Sequence, residues 1–468
     1  MQRIEPSTPE AFQLIMEGQA ALCDVEAHGM RIDEAYLDRA LERTTVILKQ
    51  MEQRLFDDEI FRLWRKRFGS AADLGKSAQL ATVLFQDLGL TPKSYTKTRD
   101  KKGNQKPAMD EEALEDIDYP FVKRYVTYNK LKKARNTYLV GIKRECHNGY
   151  VHPSFNLHLA STWRSSCDGP NLQNQPVRDP RQAELIRQAF IPRSEEYMLV
   201  EIDYAALEFK GCANHWQDPD MIRYASDPSL DIHRDMAAEC YCLSLDQVSK
   251  PCRSFAKNQF VFPVLYGSTH KACSRNLWIQ IGRGDLKRVD GVPIYEHLRQ
   301  QGITEMAAYA PDGSKLPNTY ESHIQRVEQR FHKRFPEWST QRDIWWNQYL
   351  ERGWFPLASG FVAQGVFSFN NLMNTPSQGA CFHIVLWSLT QINKELKRRR
   401  MKSKLICTIH DSIVADVYLS ELDDYLGMCK RIMTEDVRKH FPWIMTTLGV
   451  EAEASAVSWF HKSKVEIQ

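Results

Sequence analysis

Apolar runs long enough to form strands occur at three places in the chain. They are MLVEID at 198–203, LICTI at 405–409 and SIVADV at 412–417. Because only His410 and Asp411 separate the last two runs, those runs predict a β-hairpin. Elsewhere the apolar residues recur with helical spacing, most clearly in the stretches 255–260, 321–331 and 378–399. Long helices around a small sheet predict an α+β fold.

The composition is that of an ordinary globular protein. The chain has 468 residues, of which 43% are hydrophobic and 26% are charged. These values exclude a disordered, collagen-like or fibrous chain, and the length predicts about two to four domains. The net charge of +3 does not by itself indicate a nucleic-acid partner, so such a role depends on where the charges lie.

The same composition predicts a cytoplasmic protein without membrane contact. No run approaches the ~18–20 apolar residues of a membrane span, and the first residues lack the apolar segment of a secretory signal. The eleven cysteines are scattered and form no CxxC pair. Scattered cysteines of this kind are typical of reduced thiols in a cytosolic protein.

Basic residues are concentrated in two segments, 123–135 and 394–404. Either segment could be an ordinary solvent-exposed helix face, with its Lys and Arg side chains near a helix C-terminus. We favour that interpretation for 394–404. In 123–135, Tyr125 and Tyr128 are interleaved with the basic residues, which favours a face that follows phosphates. The polar stretch 96–110, which contains Gly and Pro, is predicted to be an exposed loop.

Two aspartates stand where strand-like runs end. Asp203 closes the first run, and Asp411 lies at the tip of the predicted hairpin. If these strands are neighbours in one sheet, the carboxylates face each other and repel unless cations lie between them. Two Mg²⁺ ions in such a site could hold both oxygens of a phosphoryl transfer. The alternative is that each Asp caps a turn, as Asp often does at strand ends.

A second candidate group lies on one predicted helix. Arg253 and Lys257 are four residues apart and therefore share a helix face that could hold a polyphosphate. Phe262 and Tyr266 show the same spacing nearer the helix end, and His233 could add a donor. Basic and aromatic residues on one helix suit a nucleotide held by its phosphates and stacked by its base. Taken alone, the Arg-Lys pair is also compatible with a solvated face.

Several segments together resemble the polymerase portion of family A DNA polymerases. The similar segments are ASTWRSSCDGPNLQNQP at 160–176, DYAALEFK at 203–210 (motif A), RSFAKNQFVFPVLYG at 253–267 (motif B), NTPSQG at 374–379, TIHDSIVADV at 408–417 (motif C), VEAHGMRID at 25–33 and LGKSAQLATVLFQDLGL at 74–90. Each motif alone is moderately specific, but five in the family's order leave little room for coincidence. The resemblance covers about residues 10–465.

The resemblance implies a right-hand fold with an antiparallel palm sheet and mostly helical fingers and thumb. The expected segments are a leading palm segment at 1–45, the thumb at 46–150, the palm with motif A at 151–232, the fingers with motif B at 233–352 and the palm with motif C at 353–468. The stretch 278–317 looks like an insertion in the fingers.

The resemblance also implies a role for each matching residue. Asp203 and Asp411 would be the catalytic carboxylates that hold two Mg²⁺ ions, for which Mn²⁺ can substitute. The residues implied for deoxynucleotide binding are Glu208 (blocking a 2′-OH), His233, Arg253 and Lys257 (on the triphosphate), Phe262 (near sugar and base) and Tyr266 (at the template position). The residues implied for primer-template DNA binding are Arg164, Asn171, Gln173, Asn174, Asn374, Gln378 and His410, with Lys130, Lys132 and Lys133 on the thumb.

The chain departs from the family pattern at several positions. Ser412 replaces the acid that follows the motif C aspartate, Trp163 stands where the family has Gly, and Asn370 stands where an Arg is often found. Motif B is one residue longer than usual between Lys257 and Tyr266. A single-turn π-bulge absorbs one extra residue, so we predict a widened or kinked helix between about Asn258 and Pro263. We then expect Phe262, rather than Val261, to face the nucleotide.

These features predict a template-directed DNA polymerase that adds deoxynucleotides to a primer 3′ end. The chain leaves no length for a proofreading domain, so we expect an exonuclease to be a separate chain or to lie outside this sequence. Its partners would be primer-template DNA, dNTPs and other replication proteins, and we expect a monomer. A phage origin, and thus a host-cytoplasmic location, is compatible with a compact divergent polymerase.

Two alternatives remain open. Ser412 is compatible with a single-subunit RNA polymerase on the same fold, whereas Glu208 favours a DNA polymerase. A non-catalytic DNA-binding protein is disfavoured because both Asp203 and Asp411 are present.

Overall fold

The computed structural model describes residues 3–92, 94–99, 103–115, 117–160, 164–177, 179–308 and 316–467. The first third of the chain is mostly helical. Its elements are β1 (Arg3–Pro6), α1 (Pro9–His28), β2 (Met30–Arg31), α2 (Glu34–Phe56), α3 (Glu59–Phe68), α4 (Ser77–Thr82), β3 (Tyr95–Arg99), β4 (Gln105–Pro107), α5 (Glu111–Glu115), α6 (Pro120–Lys133) and α7 (Val140–Glu145). π-helical turns follow α4 at Val83–Asp87 and join α6 to α7 at Ala134–Leu139.

Short polar residues set the start of several of these helices. Thr8 precedes α1 and accepts a hydrogen bond from the Ala11 N–H, with Pro9 at the first helical position. Asp33 caps α2 in the same way by accepting from the Tyr36 N–H at 2.8 Å. Such caps satisfy amide groups that have no partner within the helix.

The thumb segment (residues 46–150) contains a hydrophobic core separate from that of the rest of the chain. Helices α2, α3, α4 and α6 bury its large side chains, among them Phe61, Trp64, Phe121 and Tyr125. The indole N–H of Trp64 donates to Gln79 Oε1 at 2.8 Å. This separate core supports the predicted thumb, whose boundaries stay a prediction.

The middle of the chain contains three short strands, the longer strand β8 and a series of helices that follows it. Its elements are β5 (Tyr150–Val151), β6 (Ser154–Asn156), β7 (Ser166–Asp168), α8 (Pro180–Arg187), β8 (Tyr197–Tyr204), α9 (Leu207–Trp216), α10 (Pro219–Ser226), α11 (Ile232–Tyr241), α12 (Lys250–Ala256), α13 (Phe262–Leu265), α14 (His270–Gly282), α15 (Ile294–Gln300), α16 (Tyr320–Arg334) and α17 (Pro336–Arg352).

The last part supplies the longest helix and most of the remaining strands. Its elements are β9 (Trp354–Pro356), β10 (Phe361–Gln364), α18 (Phe369–Arg399), β11 (Lys404–Ile409), β12 (Ser412–Tyr418), α19 (Leu422–Arg431), α20 (Val437–His440), β13 (Val450–Ser455) and β14 (Ser463–Val465). A π-helical turn at Ile432–Asp436 joins α19 to α20, and short 3₁₀ turns occur at Gly69–Ala71, Leu245–Gln247, Leu419–Glu421 and Trp459–His461.

Five antiparallel strands form the main sheet in the order β11-β12-β8-β13-β14. Residues alternate between the two faces of a strand, so Val200, Ile202 and Tyr204 of β8 point to one side. That side is covered by helices, since the Tyr204 hydroxyl lies 2.8 Å from Ser388 Oγ on α18. Glu201 and Asp203 therefore point to the opposite face.

Close helix packing ties α9, which follows β8, to α18. A Cβ atom on Gly211 would lie 2.3 Å from Cys381 Sγ, so the two helices approach too closely for any larger residue. The Cys381 thiol donates to the Leu207 carbonyl oxygen at 3.3 Å. This contact fixes the end of β8 against the long helix behind the sheet.

Several sequence predictions can be compared directly with these elements. The α+β class, the strand at 198–203 and the hairpin around His410 and Asp411 are confirmed. The loop predicted at 96–110 is wrong in part, because β3 and β4 pair there as a short antiparallel hairpin. All eleven cysteines are free, and among the described residues no helix is long and apolar enough to cross a membrane.

Candidate active site

Asp203 and Asp411 come together at one end of the main sheet. Strand β12 pairs with β8 so that Ser412 lies opposite Asp203, and Asp411 precedes it in the hairpin turn. The Tyr204 N–H donates to the Asp411 carbonyl oxygen at 3.4 Å. Both aspartates line a cleft of about 540 Å³ on the open face of the sheet. The expectation that the two strands are neighbours is therefore confirmed.

The hairpin turn has a specific local geometry. His410 adopts a left-handed backbone conformation with φ of 53°, which lets two residues reverse the chain direction. Ser412, which replaces the family's acid, donates from its hydroxyl to the Ile409 carbonyl oxygen at 3.0 Å. Its side chain therefore closes the turn instead of adding a third carboxylate to the cleft.

Burial in the cleft disfavours the charged form of both carboxyl groups. Although solvent reaches the Asp203 side chain, protein surrounds it on most sides of the cleft, and this desolvation raises its pKa to about 7. The nearby charges of Asp411 and Glu201 raise it further. Desolvation also raises the pKa of Asp411, against the charges of Arg164 and His410.

This donor set suits a hard divalent cation. Among the described residues no basic side chain forms an ion pair with Asp203 or Asp411, so their negative charge is not neutralised by direct contact. Within the same ranges no group of three or more His, Cys, Asp or Glu side chains is close enough to hold a metal. Mg²⁺ is commonly held by one or two carboxylates together with water and substrate phosphates, so the residues present fit it.

Other charged residues of the cleft were missed by the sequence interpretation. Glu201 accepts hydrogen bonds from Lys462 Nζ at 2.5 Å and from the Trp459 indole at 2.8 Å. Lys462 also pairs with Glu453 at 3.1 Å. Glu201 lies two residues before Asp203 and thus on the same strand face, a signal that could have identified it. Nothing in the local sequence indicates that Lys462 lies beside it.

The motif B helix is interrupted where the extra residue was predicted. A π-helical turn spans Lys257–Val261, between α12 and α13, so the predicted widening is confirmed. Arg253 precedes the turn, and Phe262 and Tyr266 follow it. The rings of Phe262 and Tyr266 stack with their centroids 5.9 Å apart.

The turn determines which side chain lies beside His233 and Lys257. Val261 and Phe262 are both buried in the main core, but it is the Phe262 ring that lies 5.4 Å from the His233 ring and 5.5 Å from Lys257 Nζ. The charge of Lys257 also acts on Asp411, which places this helix beside the carboxylates. This arrangement favours Phe262 over Val261, and the role of Phe262 stays a prediction.

Arg253 has a partner that the sequence interpretation did not anticipate. Its Nε donates to Asp231 Oδ2 at 2.6 Å. Asp231 also caps α11 by accepting from the N–H groups of His233 and Arg234, both at 3.1 Å. His233 is buried, and its pKa is lowered to about 3 by burial and by the charges of Lys257 and Arg253. Its Nδ1 has no hydrogen-bond partner among the described residues.

Glu208 and Tyr266 are linked directly. The Tyr266 hydroxyl donates to Glu208 Oε1 at 2.6 Å, which joins the start of α9 to the end of the motif B helix. The residue between β8 and α9, Ala206, has φ of 54°, so the chain turns sharply there and points Glu208 toward the motif B helix.

Most of the predicted DNA-contacting residues lie in two places, the segment 164–174 and the beginning of α18. Gln173 donates to the Thr408 carbonyl oxygen at 3.2 Å and to Ser165 Oγ at 2.8 Å, which ties its loop to the hairpin of His410. Asn171 accepts from the Asn174 N–H, and Arg164 acts electrostatically on Asp411. Asn374 and Gln378 lie half-buried on the first turns of α18, where Asn374 Oδ1 has no hydrogen-bond partner among the described residues.

In the basic helix at 123–135 the two tyrosines differ from their prediction, and the role of the lysines stays a prediction. Tyr125 and Tyr128 are buried in the thumb core, where their hydroxyls donate to the Leu74 carbonyl oxygen and to Glu52. They cannot stack on bases from there. Lys130 is held by Glu115 at 2.5 Å and by Glu111 at 3.1 Å. Of the predicted basic residues, Lys132 lies over the Tyr128 ring and Lys133 is exposed.

The second basic cluster is confirmed as a solvated helix face. At 394–404 the basic side chains pair with acids on α1 and on α18 itself, including Lys394 with Glu17 at 2.7 Å and Arg398 with Glu395 at 2.9 Å.

Comparison with known proteins gives the family. Residues 41–287 match the model of DNA polymerase family A, and the chain belongs to this family. It is 26% identical to DNA polymerase I of Bacillus subtilis over 444 residues, which cover 94% of this chain and 44% of the relative. Identity to DNA polymerase I of Lactococcus lactis is 30% over 380 residues, covering 80% and 38% of the two chains. The chain therefore spans less than half the length of these relatives.

A solved structure shares the fold. The polymerase domain of Pol1 from M. smegmatis, solved with DNA primer-template and dNTP, matches with a TM-score of 0.73 at 19% identity. The match covers 95% of this chain and 70% of that one. The right-hand polymerase fold expected from the motifs is thereby confirmed.

Proposed function

We propose that this chain is a template-directed DNA polymerase that extends a primer 3′ end with deoxynucleotides. The observation that carries the proposal is the meeting of Asp203 and Asp411 in one cleft, beside a helix that presents Arg253 and Lys257. Membership in DNA polymerase family A and the names of the relatives support it. Primer-template DNA and dNTPs would be the partners, and the M. smegmatis polymerase domain was solved in complex with both.

Asp203 and Asp411 are the residues proposed to hold two divalent cations, Mg²⁺ by preference. When bound, such ions supply charge stabilisation at the attacking 3′-oxygen and at the leaving pyrophosphate. The contribution of the protein is rigidity, because the Asp203 backbone is fixed between β12 and β13 and Asp411 is fixed by a two-residue turn. Pre-positioned carboxylates need no rearrangement when charge develops in the transition state.

The incoming triphosphate is proposed to bind Arg253, Lys257 and His233. A phosphate that reaches Arg253 must displace Asp231, so binding exchanges one ion pair for another. The buried, neutral His233 ring offers a nitrogen without a partner among the described residues, and an anion beside it would favour protonation. Phe262 is proposed to contact the sugar and base.

Glu208 is proposed to exclude ribonucleotides by occupying the space of a 2′-hydroxyl. Its bond to Tyr266 holds the carboxylate in place while Tyr266 occupies the template position. The remaining proposed duplex contacts are Arg164, Asn171, Gln173, Asn174, Asn374, Gln378, His410, Lys132 and Lys133. For Lys130 the proposal requires exchange of its two acidic partners for phosphate.

Primer extension tests the proposal. Wild-type protein is incubated with a primed template, Mg²⁺ and either dNTPs or NTPs, and Asp203→Asn and Asp411→Asn are compared with Asp424→Asn, an exposed control on α19. We expect extension with dNTPs by wild type and by the control, and a loss of at least about a thousandfold in either active-site variant.

Two outcomes would contradict the proposal. Extension with NTPs in preference to dNTPs would favour the RNA polymerase alternative that Ser412 raised. Near-normal extension by either active-site variant would reject the assignment of the metal-binding carboxylates. The proposal also assigns synthesis alone to this chain, so removal of a mismatched primer end by homogeneous protein would reveal a second site.

A further inference from the structure

The stretch 278–317, which the sequence indicates as an insertion in the fingers, is anchored on the fingers in its described part. The Ser249 hydroxyl donates to the Lys287 carbonyl oxygen at 2.6 Å. Helix α15 of the same stretch turns Ile294 and Leu298 into the main core, where both are fully buried. The stretch is therefore a fixed extension of the fingers, and the proposed chemistry makes no use of it.

One residue of this extension reaches the thumb. Arg283, which follows α14, forms an ion pair with Glu112 of α5, with 3.6 Å between Arg283 Nη2 and Glu112 Oε1. Beside the pair lies a cleft of about 680 Å³ whose lining comes from both segments, with Asp118 and Lys123 from the thumb and Asp285 from the fingers. The thumb and the fingers thus face each other across this cleft, and the ion pair joins them.

Helix α5 is held firmly on the thumb. Lys130 of α6 pairs with Glu115 at 2.5 Å and with Glu111 at 3.1 Å, and Leu114 is buried in the thumb core. Glu112, whose side chain is 72% exposed, pairs instead with Arg283. Both members of this pair are therefore carried by fixed elements, so the pair connects two rigid parts of the molecule.

The thumb and the fingers are also joined at their base. Leu139 and Ile142, near the end of the thumb segment, and Leu277 and Ile281 of α14 belong to one main core, whereas the rest of the thumb has its own core. Two parts that share a base and meet again at a separate point enclose an opening. An ion pair with one mostly exposed member is weak enough to open and form again.

We propose that the Glu112–Arg283 pair closes the protein around primer-template DNA and slows its release. The inference rests on the proposed function, which places the duplex against the thumb lysines and the primer end beside the motif B helix of the fingers. DNA held between thumb and fingers would pass through the opening that the pair closes. Loading onto DNA requires the pair to open, and salt, which screens the two charges, should favour the open form.

The alternative is a surface ion pair that only adds to the stability of the fold. A protein that is open on one side can leave the DNA sideways, so its release would not depend on the DNA ends. A protein closed around DNA can slide off a free end but must break the pair to leave DNA whose ends are blocked. Release from blocked and free DNA therefore separates the two cases.

The experiment measures dissociation of the full chain from one primed duplex in excess competitor DNA and without nucleotides. The ends of the duplex are either free or blocked by streptavidin bound to terminal biotin. We expect wild type to leave the blocked DNA about two- to fivefold more slowly than the free DNA, and this ratio to fall toward one as salt rises from about 0.05 to 0.3 M. Glu112→Arg places two cations side by side and should bring the ratio to about one at low salt.

The chain offers two matched controls. The double variant Glu112→Arg/Arg283→Glu restores an opposite pair at the net charge of wild type and should recover at least about half of the effect. Glu59→Arg makes the same charge change at an exposed position of α3 on the thumb and should keep the wild-type ratio. Because added positive charge favours DNA binding in general, faster release by Glu112→Arg cannot come from weaker attraction to phosphates.

Three results would overturn the inference: a ratio that Glu112→Arg leaves unchanged, a double variant that recovers nothing, or the same loss in Glu59→Arg. Wild type that extends a primer but leaves blocked and free DNA equally fast at low salt would contradict this inference alone. A ratio that depends on the pair, in a chain that cannot extend a primer, would contradict only the proposed function.

Discussion

Glu208 occupies a position where a small change in side-chain volume should alter substrate choice. It is held by the Tyr266 hydroxyl at 2.6 Å. If its carboxylate excludes the 2′-hydroxyl by contact, Glu208→Ala should reduce the preference for dATP over ATP, measured as a ratio of kcat/KM values, by at least about tenfold. Glu208→Gln keeps the size and should keep most of the preference. An unchanged ratio in Glu208→Ala would show that Glu208 has a structural role and does not select the sugar. That result would favour the RNA polymerase alternative.

Asp231 competes with the proposed substrate for Arg253. Its carboxylate both caps α11 and accepts from Arg253 Nε at 2.6 Å. Asp231→Asn retains a capping oxygen but weakens the ion pair, so the KM for dNTPs should fall about three- to tenfold with kcat little changed. Asp231→Ala serves as the comparison, because it also removes the cap and should cost about 1 kcal/mol of stability. A higher KM in Asp231→Asn would show that Asp231 orients Arg253 instead of competing for it.

The raised pKa values of Asp203 and Asp411 give a test for metal binding that does not require activity. A carboxyl group whose pKa is raised to about 7 on folding contributes most stability when protonated, and this contribution is lost as the pH rises from about 4 to 7. Metal-free Asp203→Asn should therefore melt about 1–3 °C above wild type near pH 8 and no higher than wild type near pH 4.

Addition of Mg²⁺ should reverse that order near pH 8. The ion neutralises the paired carboxylates of wild type and raises its melting temperature, whereas the Asn variant lacks one ligand and should respond weakly. Equal responses of both proteins to Mg²⁺ would place the metal elsewhere. Asp424→Asn, the exposed control on α19, should behave as wild type at each pH.

At the scale of residues, two parts of the candidate site, the aspartate pair and the Arg-Lys pair, could be proposed from sequence because each residue lies within a short motif. Asp203 and Asp411 stand at the ends of apolar runs, and Arg253 and Lys257 share one helical face. Their neighbours could not be predicted, because they come from distant segments. Lys462 reaches Glu201 across 261 positions of the chain, and no local pattern indicates that approach.

At the scale of elements, the motif B helix shows how one inserted residue is accommodated. The π-helical turn at Lys257–Val261 absorbs it, so Phe262 rather than Val261 lies beside His233 and Tyr266. In family A polymerases a Phe at this place tends to exclude dideoxynucleotides, whereas a Tyr hydroxyl can replace the contact of the missing 3′-OH. Phe262→Tyr should therefore increase dideoxy termination at least about tenfold in a primer-extension assay, with dNTP incorporation nearly unchanged. Val261→Ile, a change inside the core, should leave dideoxy rejection as it is.

Two expectations at this scale hold only in part. The mixture of Lys and Tyr in 123–135 favours a phosphate-binding face, but helical geometry separates the two residue types onto different faces, so the tyrosines do not belong to it and the role of the lysines stays a prediction. Tyr125 and Tyr128 face the thumb core, and the lysines face outward. In 96–110, polar residues and a glycine predicted a loop, yet the backbone of β3 and β4 pairs regardless of polarity. In both cases the environment of the segment decided the outcome.

At the scale of the whole molecule, two separate hydrophobic cores divide the chain into parts that can differ in stability. One core lies within the thumb segment, and the other joins the main sheet to the helices around it. Segments with separate cores can unfold at different free energies. The main core holds the proposed catalytic cleft, while the thumb carries the proposed phosphate contacts, so damage to either core should affect a different function.

Trp64→Leu tests this division. The indole is fully buried in the thumb core and donates to Gln79, so its loss should cost about 2–4 kcal/mol. Hydrogen exchange in increasing urea should then show amides of α6 opening at lower denaturant, while amides of β8 and β12 open where they do in wild type. Duplex affinity should fall, whereas melting near pH 8 should keep its response to Mg²⁺, because Asp203 and Asp411 lie on the sheet that the main core supports. Phe331→Leu, an equally buried change in the main core, should produce the opposite pattern. If the amides of α6 and β8 open at lower urea together in both variants, the two cores unfold as one cooperative unit. The proposed separation of DNA binding from catalysis is then wrong.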